Sequence, residues 1–189
     1  LIGGEPMVHP HMDKICDSCV MDSSSGAIFT TDGKCNFCNN YRTLESLYPN
    51  NSSGQAKLQG TFKTIKESSS KKYDCVVGVS GGTDSCYTLK LIVENGLKPL
   101  AVHFDNGWNT ETSVSNIKKV VQKLDVDLYT YVIEWNEYKS MMNSFFESDV
   151  LDVELLMDNA MLSVNYEIAK KEKLQFILSG SNISTEGMD

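Results

Sequence analysis

The sequence lacks several features that would place it in familiar classes. No stretch is apolar enough and long enough to cross a bilayer, and no secretory signal is visible, so we expect a soluble, cytoplasmic protein without a membrane partner. Basic residues are outnumbered, with 17 Lys and Arg against 25 Asp and Glu, which gives a formal net charge of −8. Because proteins that bind nucleic acid usually present a basic surface, this balance argues against a nucleic-acid partner.

Cysteine is sparse outside one segment near the start of the chain. Four of the six cysteines form two C-x2-C pairs that are separated by 15 residues. Each pair is predicted to form a tight turn that aims two thiolates at one point, which is typical of a structural Zn²⁺ site. The predicted metal ligands are Cys16, Cys19, Cys35 and Cys38. A redox dithiol and simple reduced thiols are the alternatives. Between the pairs we predict a strand over 27–30 and a turn at Asp32-Gly33.

One stretch in the middle of the chain carries the strongest signal of function. A short apolar run from Tyr73 ends in Ser80-Gly-Gly-Thr-Asp-Ser85, and a helical pattern follows. Such a run predicts a buried parallel strand, while the glycine pair lets the backbone approach a ligand closely. The helix that begins here has free N–H groups and a positive dipole end, both of which attract anions. The sequence therefore predicts a phosphate site at this turn, with an ordinary strand-to-helix turn as the alternative.

From Tyr73 onward, strand and helix patterns alternate, which predicts an α/β fold with a parallel sheet covered by helices on both faces. We expect Thr110 to cap one helix, and Asp158 to cap a helix over 159–172. Four segments are distinguished: a leader of vector origin at 1–11, a zinc-binding module at 12–45, a linker with a short helix at 46–72, and the α/β domain at 73–189. Cys75 is expected in the core, and Cys86 is expected to be buried on its helix rather than to carry sulfur.

The loops that follow the parallel strands are expected to meet at one edge of the sheet, where ligands bind in such folds. Three segments converge there in this prediction: 80–85, 105–109 and 180–182. The candidate nucleotide contacts are Ser80, Gly81, Gly82, Thr83, Asp84, Ser85, Asp105, Asn106, Gly180, Ser181 and Asn182. For the last two segments, plain turns at the ends of strands remain the alternative.

The hexapeptide Ser80-Gly-Gly-Thr-Asp-Ser85 after an apolar strand resembles the PP-loop of the N-type ATP pyrophosphatases. The resemblance implies that ATP is split between its α and β phosphates while Mg²⁺ offsets the charge of the pyrophosphate. It also implies that the segment at Asp105 and Asn106 lies beside the adenosine. By this analogy Ser80 and Asp84 take part in catalysis, because Ser80 donates to the developing charge and Asp84 organises the loop or the metal.

The four-cysteine segment and the PP-loop together resemble the N-acetyl sugar amidotransferases of surface-polysaccharide biosynthesis, such as lipopolysaccharide O-antigen. The matching segments are 16–22, 32–38, 78–85, 104–109 and 178–182. The resemblance implies that ATP activates the acetamido group of a sugar and that ammonia from a partner glutaminase converts it to an acetamidino group. Members of that family continue for about as long again after this sequence ends, so we expect an incomplete C-terminal end.

Two other functions are weighed against this interpretation. A PP-loop enzyme that thiolates tRNA should have a basic surface and a catalytic thiol, which the net charge of −8 and the isolated Cys86 fit poorly. A non-catalytic protein that binds zinc and nucleotide would not need the intact hexapeptide. Both a monomer and a homo-oligomer are compatible with the sequence.

Overall fold

The structure is a computed structural model that describes residues 14–69 and 72–181. The leader expected at 1–11 and the candidate contact Asn182 lie outside the described residues. The chain divides into two compact units, and the division falls between Gln55 and Ala56. The α/β domain is predicted to begin at 73, which is later in the chain than this division. No helix of the described part is long and apolar enough to cross a membrane.

The first unit is built around the two cysteine pairs. A 3-10 helix at Ser23–Ser25 is capped by Asp22, and α1 spans Asn36–Leu47. The strand predicted over 27–30 is wrong, because this segment forms only an isolated antiparallel bridge between Phe29 and Cys35. The predicted turn does form, since the Gly33 N–H donates to Thr30 O at 3.1 Å.

The helix α2, at Ser52–Glu67, crosses the division between the units. Its start is fixed by Asn51, whose side chain accepts hydrogen bonds from the N–H groups of Ser53 and Gly54. Phe62 and Ile65 are its buried residues, and both pack into the core of the second unit.

The second unit contains the predicted parallel sheet, with strand order β3-β2-β1-β4. The strands are β1 (Cys75–Gly78), β2 (Pro99–Asp105), β3 (Leu128–Val132) and β4 (Ile177–Leu178). Every pairing is parallel, with Val76 opposite both Leu100 and Ile177. The predicted fold class is therefore confirmed. β2 and β3 lie on one side of β1, and β4 lies on the other side. The strand order therefore reverses at β1, and sheets of this kind bind ligands at such a reversal.

Helices cover both faces of this sheet. They are α3 (Thr83–Glu94), α4 (Glu111–Leu124), α5 (Trp135–Glu147) and α6 (Leu155–Glu172). One core cluster joins α3 and α4 to Val77 of β1, and a second joins α6 to Val76 of the same strand. Because neighbouring residues of a strand point to opposite faces, α3 and α4 lie on one side of the sheet and α6 lies on the other.

Of the two predicted helix caps, one is confirmed and the other is wrong. Thr110 accepts a hydrogen bond from the Ser113 N–H at 3.1 Å, so it caps α4 as predicted. The cap predicted at Asp158 is wrong, because α6 begins at Leu155 with Glu154 in the cap position. Asp158 instead lies in the first turn of α6, where a carboxylate also interacts favourably with the helix dipole.

Candidate functional site

The four paired cysteines converge on one point in the first unit. Their Sγ atoms all lie within 4.8 Å of one another, with Cys16 and Cys38 3.8 Å apart and Cys19 and Cys35 3.6 Å apart. Four thiolates about 2.3 Å from a tetrahedral ion would be separated by roughly 3.8 Å, so the spacing fits a single Zn²⁺-sized ion. The two close pairs each join one C-x2-C segment to the other, which favours a shared metal over two separate dithiols.

Backbone N–H groups support these sulfur atoms. Cys16 Sγ accepts hydrogen bonds from the N–H groups of Ser18 and Cys35, at 3.4 and 3.3 Å. Cys35 caps α1, since its Sγ accepts from the Cys38 N–H at 3.5 Å. The first sulfur of each C-x2-C segment thus accepts from an N–H group of its own segment, and Cys16 also accepts from the other segment, an arrangement that stabilises thiolates.

The crowding of four thiols perturbs their ionisation. The hydrogen bond from the Ser18 N–H lowers the pKa of Cys16 to about 6. Hydrogen bonding to Cys19 raises the pKa of Cys38 to about 12. The Cys38 thiol therefore stays protonated near neutral pH unless a cation offsets the charge of its neighbours, which is what a bound metal ion does.

In the second unit, the turn between β1 and α3 has the shape that the glycine pair predicts. Gly81 has a φ of +79°, a left-handed conformation that suits glycine. A Cβ atom on Gly81 would lie only 2.3 Å from the carbonyl oxygen of Ser113, so the loop packs directly on the start of α4. The side-chain amide of Asn116 donates to Gly81 O at 3.1 Å and fixes this contact.

The two serines of the loop hold it closed. The Ser80 N–H donates to Ser85 Oγ at 3.2 Å, and the two hydroxyl oxygens are also 3.2 Å apart. Ser85 Oγ in turn donates to Gly82 O at 3.3 Å. Both hydroxyls, which are predicted to contact phosphate, are thus engaged within the loop in this structure.

The start of α3 is left open. Its cap position is Gly82, which has no side chain that can bond to the helix. Within the described residues, the N–H groups of Thr83, Asp84 and Ser85 donate to no protein acceptor. By contrast, side chains of Cys35, Thr110 and Glu134 cap α1, α4 and α5. Three free N–H groups at the positive end of a helix form a ready site for phosphate oxygens.

The segment after β2 forms a compact turn. Asp105 Oδ1 accepts from the Gly107 N–H and from the Asn109 side chain, both at 3.0 Å. Asn106 Oδ1 accepts from the Trp108 N–H at 2.9 Å, and its amide nitrogen contacts Met157 of α6. One carboxylate oxygen of Asp105 and the side-chain oxygen of Asn106 thus accept hydrogen bonds within the turn itself. A contact of either residue with adenosine stays a prediction.

The segment after β4 lies directly against the open helix start. A Cβ atom on Gly180 would be 2.9 Å from the Ser85 nitrogen and 3.0 Å from the Asp84 carbonyl carbon. Ser181 is held by Ser179, whose Oγ accepts from the Ser181 N–H at 3.2 Å. The structure therefore brings Gly180 beside the loop 80–85, as the topology predicts.

Sequence reasoning missed one residue beneath this site. Asn165 of α6 is buried, with 6% of its surface exposed, and it lies against Gly78 at the end of β1. Its Nδ2 donates to Met161 O at 2.9 Å, while its Oδ1 has no partner in the described structure. In the sequence, Asn165 stands out only as a polar residue beside Val164 on a helix face that is otherwise apolar. No motif includes it.

The unpartnered oxygen of Asn165 leads to a prediction about stability. Replacing Asn165 with leucine should raise the free energy of unfolding by about 1 kcal/mol, because a buried unsatisfied acceptor is removed at similar side-chain volume. Urea denaturation of the two proteins measures this, with Asn165→Asp as the matched variant that should destabilise by burying a charge. A loss of stability in the leucine variant would show that the oxygen has a partner such as a buried water.

The two cysteines outside the cluster differ from each other. Cys75 is fully buried in β1 as expected, and burial raises its pKa to about 12. Cys86 is not fully buried, contrary to expectation, and lines a groove between α3 and α4. The helical pattern places Cys86 just after the loop, where the groove keeps part of its side chain accessible.

Comparisons with known proteins agree with this fold. The family model described as "Queuosine biosynthesis protein QueC" matches residues 74–180, which is more than half of the chain. An uncharacterized protein of Methanocaldococcus jannaschii is 31% identical over 114 residues. The match covers 60% of this chain but only 40% of that relative.

Solved structures of two synthetases share the architecture. NMN synthetase from Francisella tularensis matches with a TM-score of 0.52 and 20% identity, over 68% of this chain and 53% of that one. Glutamine-dependent NAD+ synthetase from Acinetobacter baumannii matches with a TM-score of 0.53 and 18% identity, over 84% and 30% of the two chains. At these identities the similarity shows the common fold.

Proposed function

The chain belongs to the family of queuosine biosynthesis protein QueC, and from this premise we propose that it uses ATP in a PP-loop reaction that releases AMP and pyrophosphate. The observation that carries the proposal is the uncapped start of α3, with three free N–H groups beside a left-handed Gly81. Phosphate oxygens would accept from these groups, and the exposed Asp84 would organise the loop or Mg²⁺.

The reaction type that fits this site is the formation of a C–N bond. An amide or carboxyl oxygen attacks the α-phosphate of ATP, so pyrophosphate leaves, and ammonia then displaces AMP from the activated carbon. The main task of the protein is to stabilise the charge that develops on the pyrophosphate, which preorganised N–H groups do well. An amide carbon resists ammonia until its oxygen has been converted into a good leaving group.

For the acceptor we propose the acetamido group of a sugar, converted to acetamidino with ammonia from a glutaminase partner. The support is the combination of the four-cysteine cluster with the loop Ser80-Gly-Gly-Thr-Asp-Ser85 in one chain. This combination resembles the N-acetyl sugar amidotransferases of surface-glycan biosynthesis. We propose that the cluster holds a structural Zn²⁺, since four thiolates leave no open position for catalysis.

The activity can be tested directly. The protein is incubated with ATP, Mg²⁺, ammonium and a panel of acetamido sugars, while adenine nucleotides and sugar masses are followed in parallel. AMP and pyrophosphate together with a sugar in which oxygen has been replaced by NH would support the proposal. AMP that forms only with tRNA and a sulfur donor would overturn the sugar assignment in favour of thiolation.

A second candidate acceptor comes from the matching family, whose description names queuosine biosynthesis. The match covers 74–180 and so includes the loop and the segment up to Gly180, but not the four cysteines. Adding precursors of queuosine to the same panel separates the two candidates. Turnover with these precursors and not with sugars would assign the chain to that pathway.

Asp84 provides a test that does not depend on the acceptor. Asp84→Ala should lower pyrophosphate release by about 100-fold, because the loop or its Mg²⁺ loses an organising carboxylate. Metal content of the cysteine cluster should stay unchanged. The matched control is Glu111→Ala, which removes the first-turn acid of the neighbouring helix α4. Equal losses in the two variants would contradict a specific role for Asp84.

A further inference from the structure

The peptide unit between Val79 and Ser80 connects β1 to the glycine loop. It follows Gly78, the last residue of β1, and Val79 is buried, with 4% of its surface exposed. The N–H group of Val79 still pairs with the sheet, because it donates to Val102 O of β2 at 2.8 Å. The chain therefore leaves the sheet between the N–H group and the carbonyl group of Val79.

The carbonyl group of Val79 accepts no backbone hydrogen bond within residues 14–69 and 72–181. The register places Gly78 opposite Val102, so a continuing ladder would bring the Phe104 N–H to Val79 O. The side chain of His103 takes the place of that bond, with Nδ1 3.1 Å from Val79 O. A buried carbonyl oxygen needs a donor, and here a side chain supplies it at the point where the strand ends.

His103 reaches this carbonyl from inside the second unit, where it is buried. It follows Ala101 by two residues in β2, so its side chain points to the face of the sheet that α3 and α4 cover. Because a carbonyl oxygen only accepts, Nδ1 carries the proton of this bond. Both the neutral Nδ1–H tautomer and the imidazolium satisfy that condition. The bond therefore requires a donor at the position of Nδ1 and does not require a charged ring.

The other end of the same peptide unit is also held by a side chain. The Ser80 N–H donates to Ser85 Oγ at 3.2 Å, and Ser85 lies in the first turn of α3. The C=O and N–H groups of a planar peptide point in opposite directions, so these two bonds together fix its orientation. One bond comes from β2 and the other from α3. The peptide therefore links the sheet to the helix whose first N–H groups are free.

We propose that His103 is a positioning residue for the pyrophosphate-releasing reaction, an inference that rests on the proposed function. It orients the Val79–Ser80 peptide and, through the bond between Ser80 and Ser85, the free N–H groups at the start of α3. His103 itself contacts neither ATP nor the acceptor in this role. Without its donor, the peptide can rotate and draw the Ser80 N–H away from Ser85 Oγ. Since preorganised donors act on the charge that develops during the reaction, the loss should appear in kcat more than in KM for ATP.

Three replacements of His103 separate the hydrogen bond from the volume of the ring. Asparagine places an N–H donor near the position of Nδ1, glutamine places one near that of Nε2, and leucine has none. His103→Leu and His103→Gln should lower kcat for pyrophosphate release by about tenfold or more, with KM for ATP changed by less than about threefold. His103→Asn should keep kcat within about threefold of the unmodified protein, because the donor is retained. The matched control is Val121→Ala, which removes volume from the core cluster that contains Val79 but leaves the donor in place.

A second measurement does not depend on activity. The amide hydrogen of Ser80 should exchange with solvent about tenfold faster in His103→Leu than in the unmodified protein, and at a nearly normal rate in His103→Asn. The chain has three histidines, so NMR of protein with isotope-labelled histidine can also detect the Nδ1–H proton of His103 directly.

The two measurements separate failure of this inference from failure of the proposed function. If the unmodified protein released no pyrophosphate with any acceptor, the proposed function would fall, and the exchange rate of Ser80 would still decide whether His103 holds the peptide. The inference is overturned if His103→Leu and His103→Asn have equal kcat, if Val121→Ala loses as much kcat as His103→Leu, or if the exchange rate of Ser80 is the same in all variants.

Discussion

Replacing Gly81 with alanine should reduce pyrophosphate release by at least about 100-fold, because the loop cannot keep its shape. The residue has a φ of +79°, and forcing alanine into the left-handed region costs about 1–2 kcal/mol. The new Cβ would also lie 2.3 Å from Ser113 O and 2.8 Å from Ser113 C. Both are backbone atoms that cannot move aside without shifting the start of α4. Assays of pyrophosphate release and urea unfolding measure the two effects.

The neighbouring Gly82 provides the matched control. Its φ of −75° is ordinary for alanine, and the nearest atom to an added Cβ is Ser80 Oγ at 3.4 Å. Gly82→Ala should therefore leave the free energy of unfolding close to that of the unmodified protein. If Gly81→Ala released pyrophosphate at the normal rate, the left-handed loop geometry would not be required for the reaction.

Replacing Cys35 with serine should remove the Zn²⁺ that we propose for the cluster and unfold the segment around it. Cys35 is fully buried, its Sγ lies 3.6 Å from that of Cys19, and it caps α1. Serine is a poor ligand for Zn²⁺, so the site would keep three thiolates whose mutual repulsion is no longer offset. Metal analysis should fall from about one Zn²⁺ per chain to nearly none. Hydrogen exchange over residues 14–55 should rise at the same time.

Cys86→Ser is the control for this change, because it makes the same substitution in the second unit. It should leave metal content and hydrogen exchange in the first unit unchanged. Retention of a full equivalent of metal by Cys35→Ser would show that the four sulfur atoms do not act as one site. Loss of metal in both variants would point to a general effect of thiol removal.

The parts of the fold that the sequence predicts are those set by short-range chemistry. The apolar run before Ser80 is short and ends at a glycine pair, which is typical of a buried strand, and Thr110 followed by Glu111 is a clear helix start. The spacing of the four cysteines is a geometric constraint that local turns satisfy. These features need no knowledge of distant residues, and the structure contains all of them.

Features that depend on distant partners were missed. Met157 and Ala160 of α6 pack against the core, and the helix extends past the cap-like Asp158 to Leu155. The exposure of Cys86 depends on the distance between α3 and α4, which no local pattern encodes. Asn165 is recognisable only once Gly78 is seen to pack against it.

The order of strands also has a consequence during synthesis on the ribosome. β1 lies between β2 and β4, yet β4 is about 100 residues later in the chain. Until residues 177–178 emerge, the nascent sheet ends in an open edge formed by Cys75, Val76 and Val77, all fully buried in the finished fold. Such an edge attracts other unpaired strands. When β4 pairs with β1, it covers this edge and also brings Gly180 against Ser85. The sheet edge is therefore protected in the same step that completes the surroundings of the loop 80–85.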